Sequence, residues 1–409
     1  EWRAGAAPEC MIGELAYHFS EAEELEKALG YSFQAARQAA AIRANPVARL
    51  WYNRTLDIFG RMGPTRAVEF QSLWLSVHES LAVVLALMGQ YDEALSNYAS
   101  ARVLLEVEAP SADQALRLVN LYLQIADVHE QRGEYDRAFE WLEKGREYLD
   151  ENEPTIEMAQ IYFFEADVYR HQSRYDEAVD RCQKSLDIAS KINTPEGQHI
   201  IGRAYCLLGD IYLRRGDLGQ AAQCCRESVR VYQAIGDLAG QSNAYDNLGN
   251  VFYGLEDWDQ AGEAYHKSLT MRWEIGDICG QGISARHLGQ THFERGEWAE
   301  AASFFEQSRS IWEQIGEPLR EATTLGELAQ VHLCQGNWTE AQTCLSRSQS
   351  LLSEIGSEEH LPEVQVAETK LSLARLALES HSMDEARTYL AQAVQTFEKL
   401  GAQAYLAEA

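Results

Sequence analysis

Apolar and polar positions along the chain follow a pattern that repeats about every forty residues. Each copy has a glycine or another turn residue, an aromatic residue, leucine or, in the last copy, methionine two residues later, and an alanine three residues after that. The copies end at Ala28, Ala94, Ala138, Ala178, Ala221, Ala261, Ala301, Ala341 and Ala386, and from Ala94 onward the spacings are 44, 40, 43, 40, 40, 40 and 45 residues. This periodicity predicts stacked helical hairpins, because a single hairpin cannot bury its own apolar face.

Each part of the copy has a physical reason. A glycine ends one helix in a left-handed cap, the acidic residues before the alanine suit a first helical turn, and the alanine permits close helix contact. Seven residues after each alanine the side chain is small, as a close crossing requires, at Ala101, Gly145, Ser185, Ser228, Ser268, Ser308, Ser348 and Ala393. A second marker predicts further helix ends, with the isoleucine in the core, at Ile235-Gly236, Ile275-Gly276, Ile315-Gly316 and Ile355-Gly356.

The segment from Gly236 to Gly276, GDLAGQSNAYDNLGNVFYGLEDWDQAGEAYHKSLTMRWEIG, resembles the forty-residue form of the tetratricopeptide repeat. It is similar to kinesin light chains and Pins-type mitotic scaffolds, over about residues 70–400. The resemblance implies an all-α fold, an α-solenoid in which antiparallel helix pairs form a right-handed superhelix with a concave groove. We expect an irregular N-terminal segment of atypical repeat-like helices at 1–65. An array of about eight repeats follows at 66–409, with degenerate copies capping the ends.

The N-terminal segment is less regular than the repeats, and it contains a distinct series of stretches at Gly13–Phe19, Glu26–Tyr31 and Ala44–Tyr52. It resembles the part that follows the ATPase module in bacterial signalling ATPases of the STAND class. That resemblance implies that the repeats are a C-terminal sensor and that an intramolecular effector domain is a partner. The chain starts at Glu1 rather than Met, so we expect a piece of a longer protein. Because the chain contains no GxxxxGK[ST] phosphate loop, the resemblance implies that the nucleotide-binding part precedes Glu1.

The net charge and apolar content of the chain limit the classes of partner that it is expected to bind. The formal net charge is −28, which repels phosphate backbones and anionic lipids and favours neutral or basic partners. The start of the chain has no apolar run, and the longest apolar stretch, Leu81–Met88, is far shorter than the ~18 residues of a membrane span. We therefore expect a soluble cytoplasmic protein that binds neither nucleic acid nor membrane.

A polar column is predicted on the first helix of successive hairpins, six residues before each turn position. Its members are Asp127, Asp167, Asp210, Asn250, Gln290 and Gln330, and neighbours on the same helix face include Asn243, Asp246, Asn247, Arg286 and His287. One interpretation is a ligand groove, acidic in its N-terminal half and rich in amides in its C-terminal half, in which carboxylates would favour a Lys- or Arg-bearing segment. The other is that these are simply solvated positions. The column is not basic, so capture of a C-terminal carboxylate is not expected.

Catalytic chemistry is not indicated. The sequence contains no HExxH, GxSxG or CxxC motif, and predicts neither catalytic residues nor a metal nor a cofactor. The eight cysteines are interpreted as small buried residues, with the adjacent Cys224 and Cys225 as a redox alternative. Trp258, Trp298 and Trp338 are predicted to be core residues, and Trp273 and Trp312 to fill the space between repeats.

Three functions fit this pattern. We favour a non-catalytic protein- or peptide-binding domain that serves as the sensing or regulatory module of a larger signalling protein. The alternatives are a free-standing adaptor that bridges two proteins, and the non-catalytic part of an enzyme, an ATPase or cyclase, whose active site lies upstream.

Overall fold

A computed structural model of the chain describes residues 12–41, 44–62, 68–106, 111–150, 153–355, 370–375 and 383–400. Cys10, the Gly356 marker and the first two residues of the copy that ends at Ala386 lie outside these ranges. Every regular element in the described part is a helix, which confirms the all-α prediction.

The chain forms two compact units, Glu1–Ala204 and Tyr205–Ala409. The first contains α1 (Ile12–Glu21), α2 (Leu25–Ala41), α3 (Asn45–Met62), α4 (Gln71–Leu87), α5 (Tyr91–Leu105), α6 (Ala112–Gln131), α7 (Tyr135–Arg146), α8 (Ile156–His171) and α9 (Tyr175–Ala189). Helix α10 (Pro195–Arg215) contains the boundary between the units. The second contains α11 (Leu218–Ile235), α12 (Leu238–Gly254), α13 (Trp258–Glu274), α14 (Ile278–Glu294), α15 (Trp298–Ile315), α16 (Pro318–Gln335), α17 (Trp338–Ile355) and α18 (Met383–Leu400).

Successive helices pack as hairpins, α6 on α7 and α8 on α9 in the first unit, and α12 on α13, α14 on α15 and α16 on α17 in the second. The predicted α-solenoid architecture of antiparallel helix pairs is therefore confirmed. We call the first helix of each hairpin the A helix and the second the B helix.

The turns follow from the residues at the helix ends. Gly236 ends α11 in the left-handed region at φ 70°, and Asp237 then caps α12 by accepting a hydrogen bond from the Gly240 main-chain N–H at 2.9 Å. The same left-handed conformation is forced on Ser173 and Glu256, both at φ 58°, where the copy lacks its glycine. The repeat register, rather than the residue, thus sets the turn geometry.

Close helix crossings lie where the small residues predicted them. Every alanine that ends a copy is at most 3% exposed, and the small residues seven positions later are buried as well. Ser308 and Ser348 each donate a hydrogen bond to a main-chain carbonyl of the facing A helix, to Gly282 at 2.9 Å and to Ala322 at 2.9 Å. A serine therefore suits this position because its hydroxyl finds an acceptor inside the contact.

Several large side chains depart from the predicted core. Trp312 is buried and Trp258 and Trp298 are half-buried, but Trp338 is 44% exposed, so its assignment to the core was wrong. Trp258 packs on the ring of Tyr253 and Trp298 on that of Phe293, whereas the corresponding residue for Trp338 is the smaller Leu333.

Two residues at the end of α13 and its turn were also predicted wrongly. Trp273 is 57% exposed, because the preceding residue, Arg272, takes the inward position. Ile275 is 39% exposed rather than in the core.

The N-terminal helices use the repeat turn too. Glu23 takes the left-handed conformation at φ 59°, Leu25 begins α2 and Ala28 is fully buried, as in the regular copies. One apolar cluster runs from α2 to α6 in the first unit. The division into 1–65 and 66–409 stays a prediction. None of the described helices is long and apolar enough to span a bilayer.

Candidate functional site

The A helices of each unit meet through polar side chains. In the first unit, His171 on α8 lies 2.7 Å from Glu130 on α6. In the second, Tyr253 on α12 donates a hydrogen bond to Glu294 on α14 at 3.1 Å. These four residues follow the column residues Asp127, Asp167, Asn250 and Gln290 by three or four positions, and so share their helix faces.

The first unit holds an acidic cluster made of Asp127, Glu130 and Asp167. Burial raises the pKa of the Asp127 carboxyl, and the neighbouring Asp167 raises it further. Burial also raises the pKa of Glu130 to about 7, with added repulsion from Asp167 and Asp127. The cluster therefore holds a carboxyl that titrates near neutral pH.

The predicted carboxylates are not free negative charges. Gln131 donates a hydrogen bond to Asp127 at 2.8 Å, and Arg170 donates one to Asp167 at 2.8 Å. In the second unit Arg214 donates a hydrogen bond to Asp210 at 2.9 Å within α10. These partners on the protein's own helices reduce the attraction on which a basic ligand was expected to depend.

A buried polar network lies beneath the A helices of the second unit. Asp246 on α12 is only 6% exposed, and it accepts a hydrogen bond from Ser284 on α14 at 3.0 Å. Arg272, on B helix α13, donates hydrogen bonds to Ser284 at 3.1 Å and to Asn243 at 3.1 Å. His287 Nδ1 lies 3.3 Å from Asp246.

The charges in this network compensate one another. Burial by itself would raise the pKa of the Asp246 carboxyl, but His287, Arg272 and the Ser284 hydroxyl lower it below its usual value. Asp246 is therefore a structural anion that holds α12, α13 and α14 together, and its carboxylate does not face solvent as the sequence had suggested.

A second polar bridge joins α14 to α16. Arg286 and Gln290 both donate hydrogen bonds to the same oxygen of Glu327, at 2.9 and 2.6 Å. Burial raises the pKa of Glu327, and Arg286 and Gln290 oppose that rise. The other oxygen of Glu327 has no hydrogen-bond partner among the described residues.

The amide side chains of the predicted column and its neighbours differ in exposure and in how many of their hydrogen-bonding groups have partners. Asn250 accepts a hydrogen bond from the Tyr265 hydroxyl at 2.8 Å and keeps its NH₂ group, and Asn243 is exposed while bonded to Arg272. Asn247 and Gln330 are half-exposed, and neither side chain has a hydrogen-bond partner in the described part of the chain. We use the name polar face for the set Asn247, Asn250, His287, Gln290, Glu327 and Gln330.

Sequence reasoning missed three residues of these clusters. Glu327 lies 40 residues after His287, so the repeat spacing alone would have placed it among the neighbours of the column. Arg272 occupies the position of Tyr232 and Trp312, and a charge in a column of large rings would have marked it. Glu130 follows Asp127 by three residues and shares its helix face.

Among the described cysteines, Cys182, Cys224 and Cys225 are buried, but Cys334 is exposed, so the prediction of burial was wrong for Cys334. Burial raises the pKa of the Cys224 thiol to about 11 and also raises that of Cys225, which suppresses the thiolate on which redox chemistry depends. Among the described residues there is no group of three or more His, Cys, Asp or Glu side chains arranged to hold a metal ion.

Comparison with known proteins supports the fold at the level of both sequence and structure. The tetratricopeptide repeat family model matches residues 74–151, 157–234, 201–274, 240–314, 280–354 and 320–399. No curated protein sequence matches the chain significantly.

Several solved structures resemble the chain at low sequence identity. One is a signal transduction ATPase with numerous domains (STAND) with a tetratricopeptide repeat sensor, from Pyrococcus horikoshii, with a TM-score of 0.60 and 15% identity over 88% of this chain and 54% of that one. The chain thus spans about half the length of that protein. A Rap protein complexed with competence and sporulation factor matches with a TM-score of 0.52 and 12% identity, covering 81% of this chain and 94% of that one.

A third similar structure is aspartyl phosphate phosphatase F from Bacillus subtilis, with a TM-score of 0.53 and 11% identity over 90% of this chain and 94% of that one. At these identities the likeness concerns the fold alone. The family model, in contrast, covers most of the sequence, and it matches the hairpins and turns described above. The chain therefore belongs to the tetratricopeptide repeat family.

Proposed function

We propose that the polar face of the second unit binds a segment of a partner protein, and that the chain is a non-catalytic sensing or regulatory module of a larger signalling protein. The observation that carries this proposal is a pair of half-exposed amide side chains without partners beside a fixed polar bridge. Within the described part of the chain, the side chains of Asn247 and Gln330 and one buried oxygen of Glu327 lack hydrogen-bond partners, while Arg286 and Gln290 hold Glu327 in place.

Such a face suits a polypeptide ligand. An amide side chain offers both a donor and an acceptor, and so matches the N–H and C=O groups of a main chain. The supporting hydrogen bonds between helices fix these groups before binding, which lowers the entropic cost of recognition.

The similar structures support the same proposal. The fold occurs in the sensor of a STAND protein and in a Rap protein that was solved with competence and sporulation factor. By analogy, we propose that ligand binding here regulates an attached or associated effector.

The test is a selection of short random peptides on the immobilised chain, followed by fluorescence anisotropy of the selected peptides. The double variant Asn247→Ala and Gln330→Ala should weaken binding about tenfold, the effect of losing two neutral hydrogen bonds. The matched control is Gln223→Ala and Gln349→Ala, which removes two exposed amides from B helices α11 and α17 and should leave affinity unchanged. Peptides that bind both variants equally well would show that the polar face is not the binding site.

A further inference from the structure

A cleft of about 700 Å³ opens in the first unit between B helices α7 and α9. Its floor is A helix α8, which contributes Glu165 and Tyr169. We call it the α7–α9 cleft. It lies on the B-helix side of the hairpins, so it is not part of the polar column on the A helices.

One wall of the cleft is a stripe of carboxylates on α7 and the residue positions just after it. Asp136, Glu140, Glu143 and Glu147 follow one another at spacings of four, three and four residues, and so share one face of the helix. Among the described residues, Asp136, Glu140 and Glu147 have no ion-pair partner, and Glu143 has only Arg146 at 3.8 Å. Lys144, Arg146 and Arg181 also line the cleft, so five carboxylates, including Glu165, face three cations, and the excess charge is negative.

The floor contributes a buried carboxylate with acceptor capacity to spare. The Glu165 side chain is 8% exposed, and Arg146 donates a hydrogen bond to its Oε1 atom. Arg181 Nε lies 3.3 Å from Oε2, yet Oε2 makes no hydrogen bond within the described part of the chain. Burial raises the pKa of Glu165, and Arg146 and Arg181 oppose that rise.

We propose that the α7–α9 cleft binds a Lys- or Arg-bearing segment of a partner protein. Ammonium and guanidinium groups donate several hydrogen bonds and carry the charge that complements the carboxylates of the wall and the buried Glu165 at the floor. The stripe spans eleven residue steps, or about 16 Å of helix, which is longer than one side chain reaches. The geometry therefore fits a segment with several cations, and the inference does not depend on the function proposed for the polar face.

The test measures binding of a fluorescein-labelled peptide of alternating lysine and alanine to the full chain in about 100 mM salt. The variant Asp136→Asn, Glu140→Gln and Glu147→Gln should bind about tenfold more weakly. The matched control neutralises three exposed carboxylates in the first turns of α15, α17 and α18, by Glu300→Gln, Glu340→Gln and Glu385→Gln. Both triple variants change the net charge equally, so non-specific attraction to an acidic protein weakens equally in the two.

A second variant should change the affinity for the peptide in the opposite direction. Arg181→Gln removes a cation that competes for Glu165, and should tighten binding about threefold. Damage to the structure would not produce this gain. The control Arg230→Gln removes an exposed arginine and should produce less tightening.

Three results would overturn the proposal. The first is equal affinity of the two triple variants, and the second is an Arg181→Gln variant that binds no more tightly than Arg230→Gln. The third is displacement of the peptide by free spermidine at concentrations no higher than those of unlabelled peptide, which would assign the cleft to a small polyamine.

Discussion

Single residues in this protein owe their properties to the neighbours that the hairpins bring together. Glu130 illustrates this, because the burial and repulsion that raise its pKa come partly from Asp167 on the next A helix. Its contact with His171 also crosses from one A helix to the next. In an isolated helix, Glu130 would be an ordinary solvated carboxylate.

The raised pKa of Glu130 predicts a pH-dependent stability. A carboxyl whose pKa is about 7 when folded and 4.5 when unfolded binds its proton more tightly in the folded protein. Its contribution is fully present below the unfolded pKa and is lost as the pH rises through about 7. The Glu130→Gln variant keeps a neutral side chain at every pH. The difference in free energy of unfolding, variant minus wild type, should therefore increase from acidic to mildly alkaline pH. Urea unfolding of both proteins measures this difference. A difference that stays constant with pH would contradict the assignment.

At the scale of the helix pair, glycines in A helices accept bulky side chains from B helices. An added Cβ at Gly289 of α14 would lie 2.7 Å from the ring of Phe305 on α15, and one at Gly249 of α12 would lie 2.5 Å from Tyr265 on α13. The ring therefore packs directly on the helix backbone. This contact sets how closely the two helices of a hairpin approach.

Substitution of Gly289 should separate the packing role of glycine from its effect on helix propensity. Gly289→Ala is expected to destabilise the protein by about 1–3 kcal/mol, because the ring of Phe305 must move. The matched control is Gly326→Ala in α16, where an added Cβ meets no atom within 4 Å and should stabilise by about 0.5–1 kcal/mol. Urea unfolding followed by circular dichroism measures both. Equal stability of the two variants would refute the close-packing argument.

At the scale of the whole molecule, the net charge of −28 is the dominant electrostatic feature. Like charges repel one another in a compact state, and salt screens that repulsion. The melting temperature should therefore rise as sodium chloride increases from about 10 mM to about 150 mM, where the Debye length falls from ~30 Å to ~8 Å. A melting temperature that falls with salt would mean that ion pairs such as Arg286–Glu327 outweigh the repulsion.

The sequence by itself determined the helices, their turns and their order of packing. These features depend on residues that recur at the same position of each repeat. Gly236 ends one helix and Asp237 caps the next, and the buried Ala261 and Ser268 recur in each neighbouring copy. The polar column was also predictable, because residues at helical spacing share a face whatever their partners.

Only the tertiary structure decided which polar residues are available for binding. Asp246 is buried beside Arg272, which replaces an aromatic ring in the neighbouring helix, whereas Asn247, one residue later, is half-exposed. Contacts such as Arg286 with Glu327 and Arg146 with Glu165 join residues 19 to 41 positions apart. Helix periodicity predicts the direction in which a side chain points, but whether that side chain is buried depends on the neighbouring hairpin. The α7–α9 cleft likewise exists only because neighbouring hairpins pack together.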